Sequence, residues 1–110
     1  MEWSELEKYR FDTDALVEYF INQVFKMLGL FESKDKNGYK HGKRIRKELA
    51  NLPEQFPILY REPKFNIVIA KIDEIINELT NLDGEHQDMK NQVFETINLL
   101  ESIKGCLRWI

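Results

Sequence analysis

Cysteine is almost absent. Cys106 stands alone among 110 residues, so an internal disulfide cannot form and a disulfide scaffold is excluded. Histidine is nearly as scarce: His41 and His86 are the only two, and with one cysteine they give no ligand set at zinc-type spacing. No metal centre and no cofactor is therefore expected. The same shortage leaves no nucleophile beside a base and no catalytic residue to nominate, so the sequence predicts a protein that is not an enzyme. Cys106 falls beside the apolar seam of the last predicted helix, where cysteine serves as a small buried residue. Uncharged apolar runs are short as well. The longest, 65–70, falls far below the roughly 20 residues that a bilayer span requires, so no membrane contact is expected. The start, Met1-Glu2-Trp3-Ser4-Glu5, has neither the basic flank nor the apolar run of a secretory signal, which makes a cytoplasmic setting the expectation. Three prolines and five glycines leave long stretches without a helix breaker.

What is present is a globular composition. Hydrophobic residues make up 43% and charged residues 32%, too apolar for a disordered chain and too charged for a membrane one. At this length the chain predicts one domain, 1–110. Charge is unevenly spread. Residues 34–47 hold seven basic side chains and a single acid, Asp35, a net of +6. The rest of the chain carries −9, which gives the overall −3.

Periodicity predicts helices. Ser4 and Glu7 have capping-box spacing, so a short helix is expected over 5–10. Leu16, Val17, Phe20, Ile21, Val24, Phe25 and Leu28 recur at helical spacing after Asp12 or Thr13, predicting a helix over 13–28 that Gly29 ends. The turn-rich stretch 30–42 reads as a loop. Ile45, Leu49 and Leu52 mark a helix over 43–52 that Pro53 stops, and 53–63 reads as a packed connection with at most one helical turn. Phe65, Val68, Ile72, Ile75, Leu79 and Leu82 then form a heptad seam, as do Met89, Val93, Thr96, Leu100, Ile103, Leu107 and Ile110. Asp83-Gly84 gives a tight turn between them, which forces the two helices, near 64–82 and 86–108, to run antiparallel. The predicted fold is all-α, a small helical bundle built on this C-terminal antiparallel αα-hairpin.

Candidate sites follow from charge and from apolar excess. Gly38-Tyr39-Lys40-His41-Gly42-Lys43-Arg44 invites comparison with a phosphate-binding loop, and fails it. Its glycines are one residue too close, no Ser or Thr follows the lysine, and no strand precedes. Asp73, Glu74 and Glu78 lie on a polar helix face and read as solvating carboxylates rather than metal ligands. Two functional readings remain. The first is a helical interaction protein, such as a small subunit or inhibitor, that contacts a protein partner or a second copy through Trp3, Phe31, Trp109 and Ile110. Phe56 and Tyr60 also fall outside the seams, and a dimer is the expected assembly. In the second reading Lys36, Lys40, His41, Lys43, Arg44, Arg46 and Lys47 meet the phosphate backbone of RNA or DNA, with Tyr39 beside them.

Overall fold

The computed structural model describes the backbone of residues 3–107 and the side chains of 13–105. Four helices make up the fold: α1 (Trp3–Glu32), α2 (Gly38–Gln55), α3 (Pro63–Asn81) and α4 (His86–Leu107). A 3₁₀ turn, Pro57–Arg61, links α2 to α3. Side-chain pairs fix the relative directions. Glu18 meets Lys104 while Glu32 meets His86 at 3.3 Å, so α1 and α4 are antiparallel. Tyr19 with Glu48 and Gln23 with His41 set the same relation between α1 and α2. Arg46 with Asp73 and Gly42 against Ile76 set it between α2 and α3. Each helix thus runs against both neighbours, an up-down-up-down bundle of 52 × 24 × 21 Å. No helix among the described residues is long and apolar enough to cross a membrane.

The hairpin seams point inward. Phe65, Val68, Ile72, Ile75 and Leu79 of α3 are buried, as are Met89, Val93, Thr96, Leu100 and Ile103 of α4. Val17, Phe20, Val24, Met27, Leu28 and Phe31 of α1 and Ile45 and Leu49 of α2 close the core over them. Each aliphatic side chain taken fully out of water contributes about 1.5–3 kcal/mol, which makes these stripes the main reason that the helices form at all. Thr96 is the polar member of the seam, and its hydroxyl donates to the Gln92 carbonyl at 2.7 Å. Leu107 and Ile110, at the end of the expected seam, lie outside the described side chains.

The N-terminal half departs from expectation in three places. The helices expected over 5–10 and 13–28 are one helix that runs through Gly29 to Glu32. Gly29 lies on the outer side, where an added Cβ would meet nothing within 4 Å, while Leu28 and Phe31 continue the buried stripe past it. The true stop is a Schellman motif: Lys34 takes φ 54°, its N–H donates to Phe31, and the Asp35 N–H reaches back to Leu30. A left-handed lysine leaves no glycine to read in the sequence. The expected loop 30–42 shrinks accordingly, because α2 begins at Gly38. Gly38 and Gly42 are contact points rather than turn residues, since a Cβ on Gly38 would lie 3.2 Å from Leu30 and one on Gly42 only 2.8 Å from Ile76. Pro53 does not stop α2, which continues to Gln55 and closes with the Phe56 N–H on the Leu52 carbonyl at 2.9 Å. A proline in the last turn removes one donor without opening the turn beyond it. At the hairpin, Leu82 closes α3 in the left-handed region, φ 60°, just before Asp83-Gly84.

Candidate functional site

The inward side of α2 is set by Gly38, Gly42, Ile45, Leu49 and Leu52, all buried. At 3.6 residues per turn this places Lys40, Lys43, Arg44 and Lys47 on the opposite side, and all four are exposed. Lys40 and Lys47 are about 10.5 Å apart along the axis, so the four cations occupy two helical turns. Lys36 is exposed in the loop just before the helix, where the Asn37 N–H donates to Asp35 Oδ1 at 2.8 Å. Lys36, Lys40 and Lys47 take part in no ion pair among the described residues. Lys43 Nζ sits 5.1 Å over the Tyr39 ring, a cation–π contact that leaves its charge unpaired by an acid.

The remaining cations point sideways. Arg46 turns toward α3 and binds Asp73 at 3.0 Å, so it is already satisfied by a carboxylate of the same chain. That pairing also uses one of the three carboxylates on the α3 polar face. His41 turns toward α1 and is half-buried. Its Nε2 lies 3.3 Å from the Gln23 carbonyl and its Nδ1 lies 3.3 Å from Arg44 Nη2. A carbonyl only accepts and a guanidinium only donates, so these partners assign the proton to Nε2 and the lone pair to Nδ1. Burial pushes the His41 pKa below its ordinary value. Arg44 and Lys26 push it the same way, against the Gln23 hydrogen bond and Glu48. Glu48 is shared, standing 4.0 Å from Arg44 Nε and accepting from the Tyr19 hydroxyl at 2.9 Å. That hydrogen bond, with some burial, raises the Tyr19 pKa.

Of the seven basic-segment residues expected to act together, the fold gathers Lys40, Lys43, Arg44 and Lys47 on one outer face of α2, leaves Lys36 exposed in the loop before it, and turns His41 and Arg46 to the two sides of the helix. Lys26 of α1, beside His41, is the cation that sequence reasoning missed. Its membership depends on which helix packs against α2, and spacing within one helix carries no such information.

Of the four residues expected at a protein interface, the structure describes the side chain of Phe31 alone. Phe31 is 6% exposed and belongs to the core, because α1 extends past Gly29 and carries it inward. The side chain of Trp3, and Trp109 and Ile110 entirely, lie outside the described residues. Phe25 and Phe94 are instead the aromatic residues open to solvent between α1 and α4, 52% and 39% exposed, with ring centroids 5.9 Å apart and edge to face. Helical spacing groups Phe25 with the core stripe, and its position at the stripe's edge is the signal that separates it. Among the described residues, no three of His, Cys, Asp and Glu come together as a metal site. No protein-family model, curated protein or solved structure matches this chain.

Proposed function

We propose that this protein is a non-enzymatic binding module that docks the phosphate backbone of RNA or DNA along the outer face of α2. The observation that supports it is the run of Lys40, Lys43, Arg44 and Lys47 over two exposed turns, opposed by Glu48 alone. Surface cations of a self-contained bundle usually alternate with acids, as in the Arg46–Asp73 and Lys71–Glu95 pairs on the flanks of this one. Here the acids stay off the outer face. A ridge of positive charge on a rigid helix suits the evenly spaced negative charges of a nucleic acid and reads no base sequence. A cytoplasmic setting agrees with this reading. The test is fluorescence anisotropy of a labelled oligonucleotide at rising salt: binding that weakens steeply supports it, and no binding at low salt overturns it.

A protein partner or a second copy of the chain is the second reading, favoured by the exposed Phe25–Phe94 pair. Aromatic pairs open to water on both members are costly unless covered, and a two-fold axis through such a patch is the simplest way to cover it. Light scattering should then give twice the 13.2 kDa chain mass, reduced to one chain in Phe25→Glu. A single-chain mass for the wild type at all concentrations removes the self-associating form of this reading.

A further inference from the structure

His41 is the member of the cationic segment that faces α1. Among the described residues, the charged groups that act on it are Arg44 and Glu48 on α2 and Lys26 on α1. Glu48 is engaged by Tyr19 and Arg44, so the local field is cationic. The hydrogen bonds give the imidazole two distinct edges. Nε2–H is committed to the Gln23 carbonyl, a bond that both protonation states can make. Nδ1 is different, because it can accept from Arg44 only while it is unprotonated. A proton on Nδ1 makes two donors face each other across 3.3 Å, and Arg44 must leave unless an acceptor comes between them.

We propose that Lys26, His41 and Arg44 form a phosphate-binding site where α1 and α2 meet, and that His41 takes up a proton from solvent when phosphate binds. A phosphate oxygen supplies the missing acceptor. It takes the Nδ1–H of His41 on one side and the guanidinium of Arg44 on the other, with Lys26 completing the charge balance from α1. Charge-assisted bonds of this kind are among the stronger hydrogen bonds available to a protein. Without such an acceptor the partners of His41 assign its neutral form, which burial and the two cations also favour. By linkage, a ligand that favours the imidazolium binds more tightly as pH falls. The site rests on the docking of a polyanion at α2 and adds to it a defined phosphate position with a proton attached.

Imidazole resonances followed against pH, with and without inorganic pyrophosphate, test the site directly. His41→Gln identifies the His41 signal, and His86, paired with Glu32 on the α4 side of α1, is the internal control. We expect pyrophosphate to raise the His41 pKa by about half a unit or more, a threefold or greater change in proton affinity, and to leave His86 unmoved. Lys26→Gln, an exposed substitution that leaves the core untouched, should shrink the rise. In parallel, labelled oligothymidylate should bind the wild type about three- to tenfold more tightly near pH 6 than near pH 8, and His41→Gln with no such difference. A His41 titration unmoved by pyrophosphate, with oligonucleotide binding that ignores pH, overturns the site while α2 docking stands. A His41 shift with pyrophosphate but no oligonucleotide binding upholds the site and removes the nucleic-acid reading. No response to either probe removes both.

Discussion

Two glycines in this chain predict opposite outcomes for the same substitution, and the difference tests how the N-terminal half is built. Gly29 lies inside α1 with open space where a Cβ would be placed. Alanine there adds no clash and gains the helix preference of alanine over glycine, about 0.8–1 kcal/mol. Gly42 lies inside α2 against α3, where a Cβ would come within 2.8 Å of Ile76 Cγ1. Alanine gains the same preference there, but it must push Ile76 or the helix aside, and overpacking of this kind costs about 1–3 kcal/mol. The propensity term cancels between the two variants, so Gly42→Ala should be the less stable by about 1–3 kcal/mol. Urea titrations with a common slope would read this directly, and Gly29→Ala should also melt about 4 °C above the wild type. The refuting result is specific. If Gly29 ended α1 in the left-handed region, alanine would cost about 1 kcal/mol instead. A destabilised Gly29→Ala would therefore contradict the continuous α1, the Schellman stop at Lys34 and the burial of Phe31 together.

Other consequences are as direct. Ile72→Ala and Leu100→Ala, at positions 0% and 3% exposed, should each cost about 2–5 kcal/mol in denaturant titration, and a loss under about half a kcal/mol would place them outside the core. The His41 pKa lies below its unfolded value of about 6.5, so its neutral form contributes stability that is complete above that pH and lost as pH falls through the folded value. Thermal melts from neutral to mildly acidic pH should show this arm in the wild type and a flatter one in His41→Gln; superimposable profiles would refute the burial of the ring.

The parts of the fold legible in the sequence are those that a single helix's own spacing determines. The seams of α3 and α4 needed no knowledge of partners, because Ile72, Ile75 and Leu79, and Val93, Thr96 and Leu100, repeat as tightly as a bundle requires. Misreadings arose where glycine and proline act through tertiary contacts. Gly29 reads as a stop by composition, but Leu28 and Phe31 gain more by staying helical than glycine costs. Gly38 and Gly42 read as a loop, yet they are small because α1 and α3 come close to α2 there. Pro53 reads as a terminator and is tolerated within the last turn of the helix. The basic segment was visible as charge, but its division was not. Which cations face outward depends on α2 beginning at Gly38 rather than at 43, and Arg46 is spent on Asp73 of a helix 27 residues away in sequence. Lys26 joins the group only through the packing of α1 on α2.

The most direct test of α2 as a docking face is the salt dependence of oligonucleotide binding, compared between the wild type and a variant with Lys43, Arg44 and Lys47 changed to Glu. Each phosphate neutralised releases condensed counterions, so log affinity should fall against log salt with a slope of about −0.7 to −0.9 per contact. Three to five contacts on α2 predict a loss of about one to two orders of magnitude in affinity for a several-fold rise in salt. The three substituted residues are exposed, so the variant should keep the wild-type circular dichroism and a cooperative melting transition while losing binding. Binding that is insensitive to salt, or that survives the reversal of these three charges in a folded variant, would contradict α2 as the docking face.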